Sequence, residues 1–259
     1  MKTLLIGCGK MGGALLERWV SNPAYSFVAV DPVVEAIAPG AKLLRSREAL
    51  GDETFDLIIV AIKPQMVDDI LPTYRAHLAP GGVVASIAAG CSVERLHKAM
   101  ANDAIVRIMP NLPAAIGKGV SGLYATPDCT NAHKAGVEAL ISLSGVSIWV
   151  SDEDQLDRLT AVSGSGPGYV FELARAYMEA AKAIGFDEPQ AKALTLGTLS
   201  GAIEMAIQSD ETLEALRNSV TSKKGTTEAG LNALNGDEGL SRRLIETFEA
   251  AYNRAVELR

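Results

Sequence analysis

The chain is poor in the residues that build covalent or metal frameworks. Its three cysteines, Cys8, Cys91 and Cys129, are an odd number without CxxC spacing, which excludes a disulfide framework and a cysteine-built zinc site and suits a reducing compartment. Each reads as a small buried filler. The three histidines, His77, His97 and His133, have no metal-ligand spacing and adjoin no motif, so no metal site is expected. Basic residues are in the minority, with 24 Lys and Arg against 31 Asp and Glu and a formal net charge of −7. Such a chain offers no basic field to nucleic acid or to an acidic membrane surface, and a phosphate ligand would have to be held locally. Long apolar runs are missing as well. The longest, near Val83 to Val93, falls well short of the roughly 18 residues of a spanning helix. The opening run is broken by glycines after about four residues, where a signal peptide needs about seven or more. The expectation is a cytoplasmic protein without a targeting segment.

What is present is ample material for a core: 48% of the 259 residues are hydrophobic and 21% charged, a globular composition with no low-complexity tract. Short apolar runs at Thr3 to Ile6, Phe27 to Val30, Asp56 to Val60, Val83 to Ile87 and Ile105 to Ile108 alternate with helical patterns, the signature of βαβ units. The runs are apolar throughout, as parallel strands covered on both faces must be. Two further runs, Val120 to Ala125 and Val146 to Val150, would extend the sheet at an edge. After about Ser151 helical periodicity takes over in Tyr169 to Gly185, Pro189 to Gln208, Thr212 to Ser219 and Leu240 to Leu258. The expected class is therefore α/β, a doubly wound domain over 1–152 followed by an all-helical domain over 153–259. Ala180, Ala181, Ala183, Ala191, Ala193, Gly197 and Gly201 put small residues on several helix faces. They either permit close packing against a second subunit or simply reflect alanine's helix propensity.

Gly7-Cys8-Gly9-Lys10-Met11-Gly12 is a GxGxxG directly after the first strand and opening a helix, the context that makes this motif a Rossmann dinucleotide fingerprint. Gly7 permits the tight turn, Gly9 lets backbone approach a pyrophosphate, and Gly12 lets helix pack on strand. The helix start around Lys10 and Met11 then offers free N–H groups to the anion. Asp31 ends the second strand about twenty residues on, where a carboxylate accepts from ribose hydroxyls and repels a 2′-phosphate, so NAD(H) is expected over NADP(H). The competing role for Asp31 is to cap the Asp31-Pro32 turn. Ala61 to Pro64 follows another strand's C-terminal end, the ligand edge of such sheets, with Pro64 fixing the turn. There Lys63 either reaches the cofactor or lies in solvent. Asn111, between Pro110 and Pro113, occupies a rigid turn at a further strand end, as a cofactor neighbour or a turn former.

In the helical half, Ser163-Gly164-Ser165-Gly166-Pro167 precedes a long helix, with Ser165 or Gly166 suited to its cap. Ser222 to Thr227 supplies hydroxyls and a glycine before another helix. Together the two segments could hold a small carboxylate on N–H and O–H donors, or they could be caps alone. Four segments, Ala61 to Gln65, Arg107 to Ala114, Thr160 to Pro167 and Val220 to Thr227, resemble the pyrroline-5-carboxylate reductase family in order and over the whole chain. The pair from the helical half is the more specific. The resemblance implies an NAD(P)H-dependent reduction of 1-pyrroline-5-carboxylate to L-proline and a helical domain that dimerises, as a homodimer or a larger oligomer of dimers. It places Ala61, Lys63, Pro64 and Asn111 near the nicotinamide. It also implies that Ser163, Gly164, Ser165, Gly166, Ser222, Gly225, Thr226 and Thr227 clasp the cyclic imino acid, with Thr227 nearest the ring nitrogen. Two positions depart from the family pattern: Lys223-Lys224 stands where the family usually has Pro-Gly, and Leu112 where it usually has Thr.

The chemistry is consistent with an imine. A carbonyl reductase needs a positioned strong acid for the developing alkoxide, and these segments offer hydroxyls and backbone. A cyclic imine can be protonated before the hydride arrives, leaving the protein mainly to orient two rings. The rival readings are a 3-hydroxyacid dehydrogenase, a related cyclic-imine reductase and a dinucleotide-binding sensor without turnover. The first would carry a lysine and an asparagine on the helix where this chain has Gly168-Tyr169-Val170-Phe171-Glu172-Leu173. A six-membered ring differs by one methylene, which pockets discriminate by only about 1–3 kcal/mol.

Overall fold

The apolar runs at the front of the chain become neighbouring strands of one sheet in the computed structural model, which describes residues 1–258. The strands are β1 (Lys2–Ile6), β2 (Ser26–Val30), β3 (Ala41–Leu44), β4 (Phe55–Val60), β5 (Leu78–Ser86), β6 (Ile105–Met109), β7 (Gly119–Ala125) and β8 (Gly145–Trp149). Their order is β3-β2-β1-β4-β5-β6-β7-β8. All pairs are parallel except β6 with β7, where Val106 lies opposite Ala125 and Met109 opposite Gly122. The order reverses direction after β1, so β1 and β4 flank the crevice in which an open α/β sheet holds its ligand.

Alternation of side chains along each strand divides the core between the two faces. Leu5, Leu57, Ile59, Val83, Ala85 and Val106 fill one face with Leu15, Leu16 and Trp19 of α1 (Lys10–Trp19). Leu4, Ile6, Ile58, Val60, Val84 and Ile105 fill the other with Val67 of α2 (Val67–Ile70) and Leu96 and Met100 of α3 (Val93–Met100). Val137, Leu140 and Ile141 of α4 (Asn131–Ile141) join the first layer. Each fully buried leucine or isoleucine contributes about 1.5–3 kcal/mol, so the sheet is a rigid platform for whatever its C-terminal edge carries.

The strand signal stops where expected, and α5 (Glu153–Leu159), α6 (Gly166–Ala183), α7 (Glu188–Gln208), α8 (Leu213–Ser219), α9 (Thr226–Asn235) and α10 (Gly239–Glu257) follow. Glu153 anchors α5 to the sheet. Its Oε1 accepts from Arg107 Nη1 on β6 at 2.5 Å and from the Val93 N–H opening α3 at 2.9 Å. By contacts the chain forms two compact units, Met1–Pro167 with the stretch from Ala251, and Gly168–Ala250. In the second unit Val170 and Phe171 on α6 and Ile203, Met205 and Ile207 on α7 are all more than half exposed. A helical unit that leaves so many large apolar side chains outside its own core has the surface of an association domain. No helix among the described residues is long and apolar enough to cross a membrane.

Candidate functional site

The three glycines of the fingerprint do three separate jobs. Gly7 has φ +87°, and a Cβ there would meet Ala61 O at 2.8 Å, so the turn out of β1 admits only glycine. A Cβ on Gly12 would meet Gly7 O at 2.9 Å and Ala61 Cβ at 3.0 Å, which makes it the contact point of α1 with β4. A Cβ on Gly9 would have nothing within 4 Å. Gly9 therefore keeps an opening clear in front of the first turn of α1, where no side chain caps the helix and the N–H groups of Lys10, Met11 and Gly12 precede the first intrahelical partners.

Asp31 caps the turn that follows β2 and also reaches back to the glycine loop. It is 9% exposed. Its Oδ2 accepts from Cys8 N–H inside the glycine loop at 2.7 Å, and its Oδ1 accepts from Val33 and Val34 N–H at 2.8 and 3.0 Å. Burial alone pushes this carboxyl up, but the three backbone N–H bonds and nearby Arg45 outweigh it and hold the group below the usual aspartate value. A depressed folded-state value means that the carboxylate's stabilising contribution is complete above the unfolded value, near 3.9. That contribution disappears as pH falls through the folded value. At neutral pH Asp31 is an anion tying the glycine loop to the end of β2. Arg45, just past β3, donates to the carbonyls of Val34 and, at 3.1 Å, Glu35. Arg45 carries no local signal in the sequence, because it follows a short, half-buried edge strand.

Ala61, beside Gly7 and Gly12, and Pro64 follow the C-terminal end of β4 and are half-buried, and Lys63 is exposed with its backbone opening the short turn Pro64–Met66. The histidines all have structural partners. A His77 ring nitrogen lies 2.9 Å from Glu53 O, His97 pairs with Asp103 at 3.0 Å, and His133 completes a capping box with Thr130 on α4.

The segment Ser163, Gly164, Ser165, Gly166 corrects an expectation. It is not a capped helix start. α5 runs through a π-helical turn, Thr160–Gly164, into α6 with Ser165 in right-handed helical backbone, and Ser165 N–H already donates to Thr160 O at 2.9 Å. The glycines and Pro167, which read as breakers, are absorbed by the widened turn. A Cβ on Gly164 would meet Met109 Cε at 2.8 Å, so the turn sits directly on the end of β6. The side chains of Asn111 and Ser163, assigned to cofactor and substrate, hold each other. Asn111 Nδ2 is 3.2 Å from both Ser163 O and Ser163 Oγ, and Asn111 Oδ1 accepts from Val120 N–H at 2.9 Å.

Ser222 to Thr227 does form a helix start. Gly225 is the N-cap of α9 without a side-chain cap, and a Cβ there would run into Ser222 Oγ. The first-turn N–H groups and the Thr226 and Thr227 hydroxyls make no hydrogen bond to another described residue outside the helix ladder. Glu228, which the sequence reading left out, takes the Lys224 N–H at 2.6 Å; glycine followed three residues later by glutamate was the legible sign. Lys224 has φ +59°, a left-handed conformation that costs a side-chain-bearing residue roughly 1 kcal/mol. Lys224→Gly is expected to raise Tm by about 2 °C, once glycine's greater unfolded entropy is offset. A thermal melt that shows a fall would refute this.

Residues 153–258 match the family model for pyrroline-5-carboxylate reductase dimerisation, and residues 2–90 match that of the NADP oxidoreductase, coenzyme F420-dependent, family. The chain is 35% identical to a pyrroline-5-carboxylate reductase of Pseudomonas aeruginosa, over 98% of this chain and 95% of that protein. The solved pyrroline-5-carboxylate reductase of Coxiella burnetii superposes with a TM-score of 0.91 at 30% identity, covering 99% and 97% of the two chains. A Plasmodium falciparum pyrroline carboxylate reductase solved with NADP bound shares the fold, with a TM-score of 0.85 at 24% identity over 100% and 98%.

Proposed function

The chain belongs to the pyrroline-5-carboxylate reductase family, and from that premise we propose that it reduces 1-pyrroline-5-carboxylate to proline by hydride transfer from a nicotinamide dinucleotide. The observation that carries the reading is a family likeness running through both the glycine loop and the helical domain. Gly9 and the start of α1 would hold the pyrophosphate, and Ala61, Lys63 and Pro64 would border the nicotinamide, which supplies the hydride. The imine nitrogen enters protonated, its carbon accepts the hydride, and the C=N electron pair passes to nitrogen, giving the secondary amine and the oxidised dinucleotide. NADH is the preferred donor because Asp31 is anionic beside the ribose position. The dimerisation match and the exposed apolar helices support a homodimer or an oligomer of dimers. The three unpaired, buried cysteines support a cytoplasmic setting.

Mixing purified protein with NADH and the pyrroline acid should oxidise NADH with matching formation of proline. A panel of cyclic imines of different ring size fixes the substrate, and the absence of proline sinks the reading. Gly164, Ser165 and Gly166, at the end of the π-helical turn and just after it, are read as bordering the substrate. In the helical unit the residues read as holding its carboxylate and ring are Ser222, Gly225, Thr226 and Thr227, where the hydroxyls and first-turn N–H groups of Thr226 and Thr227 have no partner among the other described residues. Thr227 supplies the hydroxyl at the ring nitrogen. Thr227→Val is isosteric and should lower kcat/KM by about tenfold or more through loss of one hydrogen bond made at the transition state. Kinetics equal to the parent's would remove Thr227 from the mechanism.

A further inference from the structure

We propose that Asn111 and Ser163 are positioning residues that form a polar latch, fixing the π-helical turn Thr160–Gly164 against the C-terminal edge of the sheet and so setting where the hydride acceptor lies. The proposal rests on the reading that this turn borders the substrate. Its geometric basis is a closed cycle of hydrogen bonds. Val120 N–H donates to Asn111 Oδ1 at 2.9 Å, Asn111 Nδ2 donates to Ser163 Oγ at 3.2 Å, and Ser163 Oγ donates to Val120 O at 3.1 Å. The second amide hydrogen of Asn111 meets Ser163 O at 3.2 Å. Both Asn111 hydrogens and the single Ser163 hydroxyl hydrogen are thereby engaged within the chain, and Asn111 is 8% exposed. Neither side chain has a donor left for a ligand.

The cycle joins three pieces of backbone that nothing covalent holds together. Asn111 leaves the end of β6, Val120 begins β7 level with that edge, and Ser163 lies in the turn. Packing follows the same line. A Cβ on Gly122 would meet Leu156 and Leu159 side chains at 2.8 Å, and one on Gly164 would meet Met109. A π-helical turn has looser backbone bonding than an α-helix and is a common device at functional sites. Here side-chain bonds to the sheet give it a fixed position. Hydride transfer requires the reacting atoms about 3–3.5 Å apart, and a displacement near 1 Å can cost about hundredfold in rate. Only asparagine closes the cycle, because an aspartate would turn two donors into acceptors facing Ser163 O.

Hydrogen–deuterium exchange on the whole protein reads the latch without turnover. Ser163→Ala and Asn111→Ala should each speed exchange of Ser165 N–H, which donates to Thr160 O, by about tenfold or more; unchanged protection overturns the proposal. Kinetics with NADH and 1-pyrroline-5-carboxylate reads the consequence. Ser163→Ala should lower the single-turnover hydride rate by about tenfold or more, with the Kd for NADH changed less than about twofold. Ser163→Thr keeps the hydroxyl and should stay within about threefold of the parent, and the double variant should lose little beyond either single change. A parental hydride rate, or a rise in KM alone as direct substrate contact would produce, overturns it. Should Asn111→Ala not fold, the two Ser163 variants carry both readouts. If the parent protein makes no proline, the functional reading fails, and exchange alone still decides the latch.

Discussion

Gly9→Val should fold like the parent protein and bind neither dinucleotide, with Kd raised by about hundredfold or more. The backbone at Gly9 has φ −67°, which any residue adopts without strain, and a Cβ there meets no protein atom within 4 Å. Branched methyls would project into the opening before the first turn of α1 and exclude the pyrophosphate from the N–H groups that receive it. Gly12→Val makes the control. Its Cβ would press on Gly7 O at 2.9 Å and Ala61 Cβ at 3.0 Å, between a helix and a strand that cannot separate cheaply. Overpacking of that kind costs about 1–3 kcal/mol, so Tm should fall by about 3–10 °C. Titration of intrinsic fluorescence with NADH, beside a thermal melt, separates the two. Parental affinity in Gly9→Val would mean that the anion does not rest on this loop, and the dinucleotide reading would have to be abandoned at its strongest point.

The parts of the molecule that were legible in sequence are those where one physical demand dominates. Leu4 to Ile6 and Leu57 to Val60 had to be apolar on both sides because both sheet faces are covered, and that pattern has no other common reading. The glycine loop was legible because each glycine answers a separate steric need. β3 was not: Ala41-Lys42-Leu43-Leu44 is a half-buried edge strand, and its pairing with β2 appears only once β2 is in place. The start of α6 was misread for a related reason. Serine, glycine and proline are locally cap and turn residues, and tertiary packing on Met109 and Val120 draws them into a widened helical turn instead. Asn111 and Ser163 were expected beside cofactor and substrate as separate residues, and their mutual engagement spans 52 residues, a distance over which local pattern carries no information. Lys224 shows the converse. Its departure from the Pro-Gly that the resemblance implies was visible in sequence, and its left-handed backbone is a conformation that glycine adopts without steric cost.

If Asp31 sets the proposed preference for NADH, Asp31→Ser should reverse it. The parent enzyme is expected to show kcat/KM for NADH at least tenfold above that for NADPH. A carboxylate about 5 Å from a 2′-phosphate at an effective dielectric near 20 opposes it by on the order of 3 kcal/mol. Serine removes the negative charge and leaves Arg45, whose guanidinium is fixed on the carbonyls of Val34 and Glu35 at the same turn, as a cation available to an incoming phosphate. Serine also loses the bonds that Asp31 makes to Cys8, Val33 and Val34 N–H. Turnover with NADH should therefore fall by about tenfold or more, while NADPH loses less or gains. The signature is the ratio: NADH over NADPH should drop by at least tenfold, measured between pH 6 and 8, where a carboxyl held below its usual value does not titrate. A uniform loss with both cofactors would assign Asp31 to the loop and the turn only, and discrimination would then belong to residues past Val33. A parent enzyme that already favours NADPH would show that Arg45 outweighs the carboxylate at this position.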